Sequence, residues 1–127
     1  MKSIYYPVVF HPEEVGFSVS APDIDGCFTQ GDSMDEAVSM IQEAIGLLLE
    51  DQETYPAASN PKDIALEPND FIVVVPFDSV AYRRKHDTRA VKKTLSIPSW
   101  LNTAAEAAHL NFSKVLQDAL KQQLDIV

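Results

Sequence analysis

The chain is poor in the residues that several common functions need. Among its 127 residues there is one cysteine, Cys27, so no internal disulfide can form. No apolar run reaches the roughly 18 residues that argue for a membrane-spanning helix. The opening Met1-Lys2-Ser3-Ile4-Tyr5-Tyr6-Pro7 lacks the long apolar stretch of a signal peptide, and a cytoplasmic protein is expected. The three histidines, His11, His86 and His109, show no metal-ligand spacing, and none is near Cys27 in sequence. Neither a metal site, nor a thiol nucleophile, nor a cofactor is therefore expected, and Cys27 reads as a small buried apolar residue. The scarcest commodity is positive charge in the first two thirds. Residues 1–82 carry fifteen Asp and Glu against two bases, Lys2 and Lys62, a balance of −13. Residues 83–127 carry eight bases against four acids, a balance of +4, and the two make the whole-chain −9. A single pI near 4.6 thus averages two opposite surfaces, and two parts that meet different partners are expected.

What is present is an ordinary supply of core residues, 46% apolar against 23% charged. Ile4, Tyr6, Val8 and Phe10 alternate with their neighbours, as do Phe17 and Val19, and Cys27-Phe28-Thr29-Gln30 makes a third short strand. Turns at Glu13-Glu14-Val15-Gly16 and Pro22-Asp23-Ile24-Asp25-Gly26 join them into an antiparallel meander. Ser33-Met34-Asp35-Glu36 fits a capping box, with the Ser33 hydroxyl accepting from the Glu36 amide. Ala37, Ile41, Ala44, Ile45, Leu48 and Leu49 follow at helical spacing. A turn-rich loop covers Ala57 to Pro68. Phe71 to Phe77 is a fourth strand, apolar on both faces, and is expected inside the sheet with the helix across one side. The first domain, 1–78, therefore reads β-β-β-α-β, an α+β layer pair. Residues 79–89, with Tyr82-Arg83-Arg84-Lys85-His86, carry no strong periodicity and read as a linker.

The third segment, 90–127, has a different pattern. Val91 to Ile97 ends in a short alternating strand closed by Pro98. Trp100, Leu101, Ala104, Ala105 and Ala108 suggest a helix from Ser99, and Val115, Leu116, Ala119, Leu120 and Leu124 a second, with Asn111 or Ser113 as its N-cap. One strand and two short helices bury too little core to stand alone. Two copies pairing their strands would make a two-stranded ribbon on four helices, with Leu95 and Ile97 inward and Lys92, Thr94 and Ser96 outward. Such a ribbon fits the major groove of B-DNA, where Lys donates to guanine and Ser or Thr serves either base type. The start of the second helix, at Asn111, Phe112 and Ser113, suits a phosphate, with Phe112 packing inward. Arg89 and the bases upstream of it can sit on flanking phosphates.

These residues resemble two known families. Lys92-Lys93-Thr94-Leu95-Ser96-Ile97-Pro98 followed by two helices resembles the ribbon-helix-helix DNA-binding fold. The first half is more specific. Gly16-Phe17-Ser18-Val19, the turn Pro22-Asp23-Ile24-Asp25-Gly26-Cys27, the strand end Thr29-Gln30-Gly31-Asp32 and the helix start Glu36-Ala37 resemble the HicB antitoxin family, with Ile24-Asp25 where Leu-Pro is common. That resemblance implies an N-terminal half similar to a degenerate RNase H fold. It also implies a partner, a small basic HicA-type mRNA-cleaving toxin, and a C-terminal domain that binds the operator of its own operon. Asp23, Asp25 and Asp32 are the candidate toxin contacts. Lys92, Thr94, Ser96, Arg89, Asn111 and Ser113 are the candidate DNA contacts. A homodimer through the C-terminal domain is expected, with a dimer of dimers left open. An RNase H site needs carboxylates from the first strand, the helix and a later strand to hold two divalent ions. Ile4 to Phe10 supplies none, so no enzyme is expected. The alternative is a metabolite-sensing ribbon-helix-helix repressor, with the first half as its pocket.

Overall fold

A computed structural model describes residues 3–126 as a mixed α+β protein. The chain divides into one compact unit ending at Asp87 and another from Thr88 onward. The first unit holds four strands, β1 (Ile4–Pro12), β2 (Phe17–Ser20), β3 (Phe28–Gly31) and β4 (Phe71–Phe77), and two helices, α1 (Met34–Leu49) and α2 (Ser79–His86). Its sheet is antiparallel, in the order β3-β2-β1-β4. The meander of the first three strands follows from the two turns, where Gly16 and Gly26 take φ of 72° and 74°, values that glycine adopts without a Cβ penalty.

The core lies between the sheet and α1. Alternation sends Tyr6, Val8 and Phe10 of β1 to one face, with Val19 of β2 and Val75 and Phe77 of β4. Ala37, Ile41, Ile45 and Leu49 of α1 close over them, all fully buried. Helix α1 starts as its sequence dictates: the Glu36 amide donates to the Ser33 hydroxyl at 3.1 Å. Phe10, Phe17 and Phe71 form an aromatic cluster at one end, with ring centroids 5.5–5.8 Å apart. Cys27 is buried, and that burial pushes its thiol pKa up, so it packs as an apolar residue.

Two expectations are corrected here. Strand β4 is not inside the sheet; it is an edge strand, paired only with β1 from Ile4↔Phe77 to Phe10↔Phe71. Pro76 explains why: it has no N–H to give a second neighbour, which suits an edge position. The stretch 79–86 is not an unpatterned linker but helix α2, part of the first unit. Asp78 caps it, its carboxylate accepting from the Val80 and Ala81 amides at 2.9 and 3.1 Å. The bases of its last turn complement the negative end of the helix dipole. Tyr82 sits against Phe77 and over Gly46, a notch so tight that a Cβ there would lie 2.1 Å from the ring.

The second unit holds α3 (Ser99–Ala107) and α4 (Phe112–Gln123). His109, at φ 55°, turns the chain between them, and the Leu110 amide donates to the Ala105 carbonyl at 3.1 Å to close the end of α3. The expected strand over Val91–Ile97 is not formed in the single chain. A strand persists through its ladder of hydrogen bonds, and among the described residues no other segment pairs with this one. None of residues 88–126 is buried. Among the described residues, no helix is long and apolar enough to cross a membrane.

Candidate functional site

The three carboxylates proposed for a toxin are not gathered. Asp23 is a structural anchor. Its carboxylate accepts from the Ser59 amide at 2.8 Å and from the Ser59 hydroxyl, which pins the long α1–β4 loop to the β2–β3 turn. The same loop is held a few residues earlier, where the Tyr6 hydroxyl donates to the Pro56 carbonyl at 2.7 Å. Burial, then the nearby Asp23, pushes the Tyr6 pKa up. Asp25 and Asp32 are exposed, but one precedes β3 and the other follows it. The whole of strand β3 lies between them.

Glu43 and Asp78 are committed to partners. Glu43 of α1 pairs with Lys85 at 2.5 Å and His86 at 2.8 Å, both on α2. The Lys85 bond holds the Glu43 pKa below its usual range. Asp78 is spent on its cap. Among the described residues, no group of three or more His, Cys, Asp or Glu is placed to hold a metal ion.

The sheet face away from α1 carries a site that the sequence reading missed. Because Tyr6, Val8 and Phe10 point to the core, Val9 and His11 point the other way, as do Ser18 and Ser20 across from them. The register then aligns two rows across three strands: Val9, Ser20 and Phe28 in one, His11, Ser18 and Gln30 in the other. Serines on the middle strand leave a trough between larger walls. It is a groove of about 620 Å³, also lined by Glu67 and Asp70. Phe28 stands 74% exposed within it. At its far end His11 Nδ1 meets Asp70 at 2.5 Å, and Asp70 also accepts from the Glu67 amide at 3.2 Å. The Asp70 bond raises the His11 pKa above its ordinary value. The Ser18 hydroxyl donates to Glu13 at 2.6 Å, which ties the Glu13 carboxylate to a residue of the floor. Strand parity and the paired turns were legible in the sequence; the 59-residue reach from His11 to Asp70 was not.

On the second unit, Lys92, Thr94, Ser96 and Arg89 are exposed on the extended segment before Pro98. Asn111, rather than Ser113, is the cap of α4, its side-chain oxygen accepting from the Lys114 amide at 3.1 Å. Ser113 lies in the first turn and its hydroxyl accepts from Gln117 at 3.0 Å. Both remain at the helix start, beside the free first-turn amides. Large apolar side chains are bare throughout the unit, including Leu95 at 57% and Leu120 at 52% exposure.

Comparison with known proteins adds to this geometry. A family model described as "HicB_like antitoxin of bacterial toxin-antitoxin system" matches residues 6–120. An uncharacterized 14.9 kDa protein from the rep-hol intergenic region of Haemophilus phage HP1 is 37% identical over 76 residues, 55% of this chain and 57% of that protein. Antitoxin HicB 2 of Photorhabdus laumondii is 34% identical over 70 residues, 52% of this chain and 50% of that protein. The chain thus spans about half the length of the curated relatives it matches. Among solved structures, a chain of a toxin–antitoxin complex from Streptococcus pneumoniae is 25% identical, with a TM-score of 0.56 over 95% of this chain and 99% of that one.

Proposed function

The chain belongs to the HicB-like antitoxins of bacterial toxin–antitoxin systems, and from that membership we propose a division of labour between its two units. The acidic unit ending at Asp87 neutralises a small basic HicA-type mRNA-cleaving toxin. The unit from Thr88 dimerises, pairs its 91–97 segments into a ribbon, and represses the chain's own operon. The observation that carries the reading is the extent of the family match, residues 6–120, which takes in both units. The charge division supports it, at −11 over residues 1–87 and +2 over residues 88–127. Opposite net charges speed and orient the encounter of antitoxin and toxin more than they set the final affinity.

The bare second unit supports the dimer. Its apolar side chains have no cover in one chain, and its 91–97 segment has no partner strand. A two-fold copy supplies both at once. Lys92, Thr94 and Ser96 would then line one face of the ribbon. Asn111 and Ser113 would hold phosphate at the α4 start, and Arg89 would reach flanking phosphates.

The test is co-expression with the toxin. The first unit has its own core, so residues 1–87 should fold, bind the toxin and restore growth without binding DNA. A folded 1–87 fragment that leaves the toxin active would reject the division.

A further inference from the structure

Neutralisation needs a docking surface, and the acid excess alone does not locate one, because the candidate aspartates lie apart or are already bonded. We propose that the serine-floored groove on the sheet face away from α1 receives an arginine or lysine side chain of the basic toxin. The inference rests on the toxin-binding reading and places its contact.

Three observations converge. The first is shape. Ser18 and Ser20 on the middle strand leave a trough between the β1 and β3 walls, and it holds about 620 Å³. That is ample for one long side chain and part of its backbone. The second is the exposed ring of Phe28, 74% accessible at the groove wall. An aromatic face attracts a cation through its quadrupole, and the aliphatic stem of Lys or Arg can lie along the same ring. The third is the charge around the trough. Glu13 is hydrogen-bonded to Ser18 of the floor, and Glu67 lines the wall. When His11 is protonated its charge is matched by Asp70, so the carboxylates of Glu13 and Glu67 stay in excess in either state of His11. Lys62 is the one Lys or Arg between residues 3 and 82, and Arg83, Arg84 and Lys85 lie on α2, which docks on α1, so an incoming cation meets little competition. Met40 and Leu47, also exposed on α1, bring no aromatic ring.

The experiment uses the full chain and the proposed HicA-type toxin, with affinity read by calorimetry. Phe28→Ala should weaken toxin binding about tenfold or more through loss of the ring contact. The pair Glu13→Gln and Glu67→Gln should weaken it and flatten its salt dependence. Leu47→Glu on α1 should leave it unchanged. Phe28 is exposed, so the variant should keep the parent's circular dichroism and melting profile. Parental affinity in Phe28→Ala, or loss of binding confined to Leu47→Glu, would overturn the groove while leaving the antitoxin reading in place. Failure of the parent chain itself to bind the toxin would instead overturn the antitoxin reading and the groove with it.

Discussion

Single residues of this chain serve structure and partner in ways their positions in sequence do not separate. Asp23 and Asp25 stand two apart in one turn, yet Asp23 ties down Ser59 while Asp25 faces solvent. Asp23→Ala should lower stability by about 1–2 kcal/mol in urea unfolding, because the charge-assisted bonds to Ser59 vanish. Asp25→Ala should leave the midpoint in place. His11 carries a pH signature. Its folded pKa is raised by Asp70, so the pair stabilises fully below the unfolded value of about 6.5 and fades as pH rises through the higher folded value. The urea midpoint should therefore fall across that window, and His11→Asn should flatten the fall. On the second unit, Lys92→Ala and Thr94→Ala should each weaken operator binding by about 1–3 kcal/mol if each touches a base. Unchanged affinity in both variants would reject the ribbon register.

At the scale of elements, α1 and the β1–β3 meander were legible because their signals are local. Alternation, two glycine turns and one capping serine lie within the residues they organise. Strand β4 misled because its apolar run has two faces to fill, and only neighbours decide which edge stays open. Pro76 was the available sign. Helix α2 lacks an apolar stripe of its own. It forms through the Asp78 cap, its basic last turn, and docking on α1 by Tyr82 and the Glu43 pairs. Gly46→Ala tests that docking. A new Cβ 2.1 Å from the Tyr82 ring must push the ring and its helix away. Stability should drop by about 1–3 kcal/mol, with α2 amides losing hydrogen-exchange protection before the sheet does. Gly31→Ala should be worse, since its Cβ would meet the Ala37 backbone nitrogen at 2.4 Å and no side chain can yield.

At the scale of the molecule, the two units have opposite economies. Among the described residues, the first buries thirteen apolar side chains in one core, while the second buries none. A forty-residue strand-helix-helix unit cannot remove enough surface from water alone, so the proposed working form is a dimer. Leu120→Lys should shift sedimentation from dimer to monomer and abolish operator binding while toxin binding by the first unit persists. Operator affinity of the parent should fall steeply with added salt as bound counterions are released from the phosphates.

By itself the sequence determined the division of charge, the strand order of the meander, the start of α1, the two C-terminal helices and the family. Each is written in short-range spacing or in composition. Only the tertiary structure decided that β4 is an edge, that α2 closes the first unit, that Asp23 is an anchor, and that Ser18, Phe28 and Glu67 line one groove. Those facts depend on which distant segments become neighbours. Pairing and packing settle that over the whole fold, and no window of sequence contains it.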